Sequence, residues 1–314
     1  MKQKALFIPL IFVLLGLVAG FFIPFPAKSD GFLGFYSLPA DVNSTENVLF
    51  FKAGDKTNIA YRKINPPENT PSNQKCLVFL HALSVHSGWL TDFARKISET
   101  GTTIYLPDLR AHGLSEGRVN DIPGMEVMVS DLEKMIQIVR KEQPDSKIML
   151  GGHCLGCKYI TNYLYKNSQN DIESLVFLVP FFTDAPNIHE GLYYQKTGRM
   201  FSCYPLRLLF PKMLSIHANW HHALSDRFLR TDYSLSFVEM KDFDRNLENR
   251  LKGITQPLIW IQGENDIMYK KAGTNQMFET IATSEKELYF LKETGHMDVI
   301  NNSTIYIKQW ISKR

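Results

Sequence analysis

This 314-residue chain has little net charge, few cysteines and no internal repeat. The 35 Lys and Arg residues nearly balance the 32 Asp and Glu residues, so electrostatics gives no reason to expect a nucleic-acid partner. The four cysteines have no spacing typical of a structural disulfide framework. With 44% apolar and 21% charged residues, the composition also excludes a disordered chain, a coiled coil and collagen. The chain is therefore expected to bury a large core.

The N-terminus holds a long uncharged apolar stretch. Lys2 and Lys4 precede Ala5–Ala27, which is rich in Leu, Ile, Val and Phe. A spanning helix needs about 20 apolar residues, whereas the apolar part of a signal peptide has about 7–15. We therefore predict that residues 1–28 form a single-pass membrane anchor. The lysines would stay in the cytoplasm and the body would be extracytoplasmic. The small residues Val18-Ala19-Gly20 keep a cleaved signal peptide, and hence a secreted protein, as an alternative.

The rest of the chain is predicted to be a linker, residues 29–46, followed by one α/β domain, residues 47–314. Apolar strand patterns alternate with amphipathic helices, which predicts a doubly wound, mostly parallel sheet. The alternation stops between about residues 182 and 246, a segment dense in aromatic side chains, and we interpret it as a helical cap inserted after the sixth strand. The predicted strands are Val48–Ala53, Asn58–Ile64, Cys76–Leu80, Thr102–Leu106, Lys147–Leu150, Ser174–Val179, Pro257–Gln262 and Glu287–Leu291, and the predicted helices are Gly88–Thr100, Met125–Gln143, Cys154–Lys166, Gly273–Ile281 and Ile300–Ile311.

Three loops at the carboxyl ends of the predicted strands carry a nucleophile, an acid and a base in that order. The segment from Gly152 to Gly156 has the Gly-x-nucleophile-x-Gly pattern of a strand-to-helix elbow, with Cys154 where Ser is usual. The helix that follows places its positive N-terminal end beside the sulfur, which favours a thiolate. Asp266 and His296 follow the next strands. We predict Cys154 as the nucleophile, His296 as the base and Asp266 as the acid that orients it.

This order of motifs resembles the α/β-hydrolase family, and within it the monoacylglycerol lipase and lysophospholipase group. The segment His81 to Gly88 is similar to the family's His-Gly-x-x-x-His-Ser-Gly, and the segment Asp108 to Ser115 is similar to its Asp-x-Arg-x-His-Gly-x-Ser. The resemblance covers roughly residues 47–314. It implies that the backbone N–H groups of Leu83 and Leu155 form an oxyanion hole, and that the cap shapes an acyl-binding pocket. It implies no metal and no cofactor.

Three residues depart from the family pattern. Cys154 replaces the usual Ser, as in dienelactone hydrolase and polyhydroxyalkanoate synthase, which implies an acyl-thioester intermediate. Ala82 stands in the usual Gly position of His-Gly, and Cys157 replaces a second Gly. Since an apolar cap and a membrane anchor suit a substrate that partitions into a bilayer, we expect hydrolysis of lipid-like acyl esters.

Four other functions remain open from the sequence. The same thioester would serve an acyltransferase, and a degenerate site would serve a non-catalytic protein that binds a hydrophobic ligand or a partner. Cys154 and Cys157 also form a Cys-x-x-Cys pair of thioredoxin-like spacing. His217 and His221 have a helical spacing that suits zinc, although no His-Glu-x-x-His pattern accompanies them.

Overall fold

The structure is a computed structural model. It describes residues 37–119, 121, 124–167, 171–182, 194–196, 214–218, 225–234, 246–266, 268 and 270–314, of which 194–196 and 214–218 are described by their backbone alone. The predicted anchor, residues 1–28, lies outside these ranges. Among the helices that are described, none combines the length and the apolar character needed to cross a membrane.

An eight-stranded sheet forms the centre of the fold. Its strands are β1 (Val48–Lys52), β2 (Asn58–Ile64), β3 (Lys75–Leu80), β4 (Thr103–Pro107), β5 (Lys147–His153), β6 (Ile172–Leu178), β10 (Leu258–Gly263) and β11 (Lys286–Leu291). They lie in the order β1-β2-β4-β3-β5-β6-β10-β11. β2 pairs antiparallel with both β1 and β4, and every other neighbouring pair is parallel. The predicted mostly parallel sheet is therefore confirmed.

Helices cover both faces of the sheet, which is why β4 and β10 are buried along their whole length. The helices are α1 (Thr91–Ser98), α2 (Met125–Glu142), α3 (Leu155–Lys166), α4 (Leu247–Lys252), α5 (Lys271–Thr280), α6 (Val299–Asn302) and α7 (Thr304–Ser312). α1, α6 and α7 pack together, and α2, α3, α4 and α5 pack in sequence as a second layer. All the predicted helices are present, and one short helix, α4, was not predicted.

The described part of the cap contains strands, so the prediction of a helical cap is wrong for these residues. β7 (Tyr194–Lys196), β8 (Leu214–Ala218) and β9 (Asp232–Ser234) form an antiparallel three-stranded sheet. Two of these strands have only three residues, which is too short for a period-two pattern to be recognised. Their stability depends on pairing with segments many residues away along the chain, which local sequence patterns do not report.

The segment predicted as a linker is packed against the body at its described end. In residues 37–46, here called the N-terminal strap, Val42 is only 5% exposed. The Asn43 side chain donates to the backbone oxygen of Ser225 at 2.9 Å, and Arg62 of β2 donates to the Ser44 oxygen at 2.7 Å. The strap therefore joins the sheet to the chain that returns from the cap, and the folded body begins before residue 47.

Candidate active site

Cys154 occupies a tight turn between β5 and α3. Its backbone angles, φ 54° and ψ −114°, lie in a region that non-glycine residues rarely adopt. The glycines on either side are required by space. A Cβ on Gly152 would lie 2.6 Å from the carbonyl carbon of Gly156, and one on Gly156 would lie 2.5 Å from the Leu80 oxygen. The expectation that this elbow needs a glycine on each side of the nucleophile is confirmed.

The end of β6 holds this strained turn in place. The Cys154 N–H donates to the Leu178 oxygen at 2.9 Å, and the Phe181 N–H donates to the Cys154 oxygen at 3.1 Å. Both backbone groups of the strained residue are thus satisfied by one neighbouring segment. The Cys154 side chain lies near His296, in the loop after β11.

The structure brings the three predicted side chains together at the carboxyl edge of the sheet. His296 Nδ1 lies 3.0 Å from Asp266 Oδ2, and the Cys154 sulfur lies close enough to the same imidazole to raise its pKa. All three residues are buried. Since the hydrogen bond at Nδ1 leaves Nε2 for the sulfur, the arrangement has the connectivity of a nucleophile, base and acid triad. The catalytic roles themselves stay predictions.

The charges around His296 favour its protonated form. Burial alone lowers the pKa of His296, but the Asp266 carboxylate and the Cys154 sulfur together raise the pKa to about 10. At neutral pH the protonated form of the imidazole is therefore favoured, and it faces the Cys154 sulfur. A thiolate and imidazolium pair is the reactive form of a cysteine nucleophile.

Asp266 is held by two donors that do not belong to the predicted triad. The Gln262 side chain donates to Asp266 Oδ2 at 2.8 Å, and the Met268 N–H donates to Oδ1 at 2.9 Å. Sequence reasoning missed Gln262. A signal was available, because Gln262 is a polar residue near the end of the otherwise apolar strand β10, which directly precedes Asp266. A side chain at that position lies at the same edge of the sheet as Asp266.

His153, inside the elbow, positions the backbone of the base. Its Nε2 donates to the His296 oxygen at 2.9 Å, and the two rings are 4.8 Å apart. Burial and the neighbouring His296 charge hold the pKa of His153 well below its ordinary value. His153 therefore stays neutral and keeps one ring N–H for this hydrogen bond.

The two predicted oxyanion residues lie at the ends of neighbouring parallel strands. Leu155 is the first residue of α3, so its N–H has no acceptor within the helix. Leu83 follows β3, whose last residue Leu80 pairs with Gly152 of the elbow. Their backbone N–H groups are placed on the same edge as Cys154, and their role in binding an oxyanion stays a prediction.

The segments after β3 and β4 that resemble the family are bound to each other. The Asp108 carboxylate accepts from the Ser87 N–H at 2.7 Å and from the Leu114 N–H at 2.8 Å. His81 Nε2 accepts from the Leu109 N–H at 2.8 Å. Burial lowers the pKa of His81 well below its ordinary value, which keeps this nitrogen unprotonated as an acceptor. These residues fix the loops in place.

The second cysteine of the elbow is a buried thiol. Cys157 Sγ donates to the Gly152 oxygen at 3.0 Å, and burial raises the pKa of this thiol well above its ordinary value. Cys76, Cys154 and Cys157 are all free. Of the two histidines considered for zinc, His217 lies on β8 and His221 lies outside the described residues. Within the described ranges, no group of three or more His, Cys, Asp or Glu side chains is suited to a metal ion.

A mostly parallel sheet of this strand order, with an elbow after β5 and an acid and a histidine after β10 and β11, defines an α/β-hydrolase. The particular family follows from comparison with known proteins. The chain belongs to the Hydrolase_4 family, described as Serine aminopeptidase, S33, whose family model matches residues 71–302.

The chain is similar to monoacylglycerol lipases, in agreement with the resemblance seen in its motifs. It is 22% identical to human monoglyceride lipase and 21% identical to the mouse protein, each match covering 92% of this chain and 95% of the relative. The Paleococcus ferrophilus monoacylglycerol lipase structure has a TM-score of 0.65 at 18% identity, covering 81% of this chain and 98% of that one. A soluble variant of Saccharomyces cerevisiae monoglyceride lipase, in complex with a substrate analog, has a TM-score of 0.67 at 15% identity, covering 89% and 98%.

Proposed function

We propose that this protein is a carboxylic ester hydrolase that works through a cysteine nucleophile. The observation that carries the proposal is the buried cluster in which the Cys154 sulfur lies beside His296 and the His296 imidazole is hydrogen-bonded to the Asp266 carboxylate. The membership in a hydrolase family and the similarity to monoglyceride lipases support the reaction class.

The reaction begins with attack of the Cys154 thiolate on the carbonyl carbon of an ester. The carbonyl oxygen becomes an oxyanion, which the N–H groups of Leu83 and Leu155 stabilise. His296 then gives its proton to the departing alkoxide, the carbon–oxygen bond breaks, and an acyl-thioester remains on the sulfur. The neutral His296 next takes a proton from water, the hydroxide attacks the thioester, and the carboxylic acid leaves with the thiolate restored.

The substrate we propose is a lipid-like acyl ester, such as a monoacylglycerol or a lysophospholipid. The relatives named above are called monoglyceride lipases, and one of their structures holds a substrate analog. The apolar N-terminal stretch, proposed here as a membrane anchor, would keep the enzyme near such substrates.

We also propose that the body is extracytoplasmic, anchored by residues 1–28 or secreted if they are cleaved. Asn43 belongs to an Asn-Ser-Thr glycosylation sequon. Its side-chain nitrogen already donates to the Ser225 oxygen, and its side-chain oxygen accepts from the Arg227 N–H at 3.0 Å. The sequon is consistent with an extracytoplasmic body.

The test combines turnover with alkylation in the full chain. The purified protein is assayed under reducing conditions with p-nitrophenyl butyrate and with a monoacylglycerol, before and after treatment with iodoacetamide. Loss of turnover on alkylation of Cys154, and in His296→Ala, supports the proposal. Absence of turnover together with an unreactive Cys154 contradicts it and favours a non-catalytic binding protein.

Acyl transfer is distinguished in the same assay. An alcohol or an amine is added as a second acceptor, and the products are separated by mass. Release of free acid as the main product supports hydrolysis, whereas transfer of the acyl group to the added acceptor in preference to water identifies an acyltransferase.

A further inference from the structure

A segment in the C-terminal half of the cap is bound directly to the loop that carries Leu83. Residues 225–234 are here called the return segment, and residues 81–90, which follow β3, are called the oxyanion loop. The two are distant in sequence, and side chains from the return segment reach polar groups on both halves of the loop. The side chains of Ser84, His86 and Tyr233 are buried, and the Asp226 side chain is 0% exposed, so these contacts are protected from competition with water.

Asp226 binds the second half of the oxyanion loop. Its carboxylate accepts from His86 Nε2 at 3.2 Å and from Trp89 Nε1 at 2.6 Å, and it also accepts from the Phe228 N–H at 2.8 Å. The tautomer of His86 suits this contact, because its Nδ1 accepts from the Gly88 N–H at 3.1 Å. One carboxylate thus joins two side chains of the loop to the backbone of the return segment.

Tyr233 and Arg230 bind the first half of the loop, at the residue next to Leu83. The Tyr233 hydroxyl donates to Ser84 Oγ at 3.1 Å, and the Arg230 N–H donates to the Ser84 oxygen at 3.0 Å. Both Ser84 and Tyr233 are 1% exposed. The side chain and the backbone of Ser84 are therefore each held by the return segment.

Ser84 needs such a restraint because its backbone is in an unfavourable conformation. Its φ is +75°, a left-handed value that costs roughly 1 kcal/mol for a residue with a Cβ. The Leu83 N–H lies in the peptide between Ala82 and Leu83, so its direction depends on where the following residue, Ser84, is held. Relaxation of Ser84 towards negative φ would rotate this region and redirect the N–H proposed to bind the oxyanion.

We propose that Asp226 and Tyr233 are positioning residues that hold the oxyanion loop in the geometry required for catalysis. This inference rests on the proposed ester hydrolysis, in which the Leu83 N–H stabilises the oxyanion. Because the return segment lies within the cap and ends in strand β9, the contact also links the arrangement of the cap to the stabilisation of the transition state.

The test compares Tyr233→Phe and Asp226→Asn with wild type. Each change keeps the shape of the side chain and removes a hydrogen-bonding group. Removal of an oxyanion donor costs about 10²-fold to 10³-fold in kcat, so misdirection of one is expected to lower kcat about 10-fold or more while KM stays within about 2-fold. Alkylation of Cys154 by iodoacetamide, which forms no oxyanion, should keep the wild-type rate.

Arg227→Ala is the matched control. Arg227 lies in the same return segment, but its side chain donates to the Asn43 oxygen of the strap rather than to the oxyanion loop. Its kcat is expected to equal that of wild type. Two outcomes would overturn the inference. One is that both Tyr233→Phe and Asp226→Asn show a lower kcat, a higher KM and slower alkylation together, which would indicate a general loss of structure. The other is that both variants keep the wild-type kcat.

Hydrogen exchange gives a readout that does not depend on turnover. The amides of residues 82–84 should exchange faster in Tyr233→Phe than in wild type, whereas amides of β10 should not change. If the wild type fails to hydrolyse esters although Cys154 is alkylated, the proposed function is wrong. Hydrogen exchange then tests by itself whether Tyr233 restrains the oxyanion loop. Unchanged exchange at residues 82–84 would overturn it.

Discussion

Replacement of Asp266 by Asn tests the proposed triad most directly. The carboxylate accepts three hydrogen bonds, from Gln262 and His296 on Oδ2 and from the Met268 N–H on Oδ1. An amide of the same shape has only one acceptor oxygen. If this oxygen faces His296, the amide NH2 group faces the Met268 N–H, and a buried donor is left unsatisfied at a cost of about 1–3 kcal/mol. The free energy of unfolding should fall by this amount.

The effect on catalysis is expected to be larger than the effect on stability. Without the carboxylate, burial is the main remaining influence on the imidazole apart from Cys154, and burial lowers the pKa of His296. The protonated imidazole of His296 therefore loses the carboxylate that stabilises it. The equivalent change in a serine triad costs about 10⁴-fold, so we expect kcat/KM to fall about 10³-fold or more, which corresponds to about 4 kcal/mol of transition-state stabilisation.

The measurement is kcat/KM for p-nitrophenyl butyrate, together with the rate of alkylation of Cys154 and the free energy of unfolding in urea. Asp298→Asn is the matched control. Asp298 is two residues from His296 and accepts from the Gly295 N–H at 3.2 Å, without a described contact to the imidazole. Turnover of Asp266→Asn within about 3-fold of wild type, or an equal loss in Asp298→Asn, would refute the assignment of the acid.

Three further predictions concern the elbow and the base. In Gly156→Ala, the new methyl would lie 2.5 Å from the Leu80 oxygen, a backbone atom that cannot turn away; this overlap of about 3 kcal/mol or more outweighs the helix-propensity gain of about 1 kcal/mol, so Tm should fall. In Cys157→Ser, the hydroxyl keeps a donor for the Gly152 oxygen, so ester turnover should persist, whereas a thioredoxin-like activity would be abolished. Because the pKa of His296 is raised to about 10, the ion pair between His296 and Asp266 is present at neutral pH and is lost only as the pH rises through that value. Turnover measured against pH should therefore decline only well above neutral pH.

Each of these predictions has an internal comparison. Gly124→Ala serves for the first, because a Cβ at Gly124 meets nothing within 4 Å and its Tm should be unchanged. Equal ester turnover with and without reductant serves for the second, since the variant lacks one sulfur of the pair. The pH profile of Asp266→Asn serves for the third: its alkaline decline should move towards lower pH, and an unmoved decline would contradict the assignment of that limb to His296.

Much of the sheet was predictable from the sequence because its signals are local. Strands such as Leu258–Gly263 are continuous apolar runs, and helices such as Met125–Glu142 repeat apolar side chains along one face. The two glycines around Cys154 are likewise a local requirement, since a Cβ at either position would collide with nearby backbone atoms. The order nucleophile, acid and base could therefore be read directly from the chain.

Tertiary structure alone decided which groups support these residues. Asp226 and Tyr233 bind residues of the oxyanion loop that are 137 and 149 positions away in the sequence, a proximity that no local pattern encodes. The cap strands and the N-terminal strap were also unpredictable from local patterns, because their stability comes from pairing and packing across long sequence separations. Hydrophobic periodicity specifies which face of an element is buried, but only the packed fold determines which buried polar groups meet.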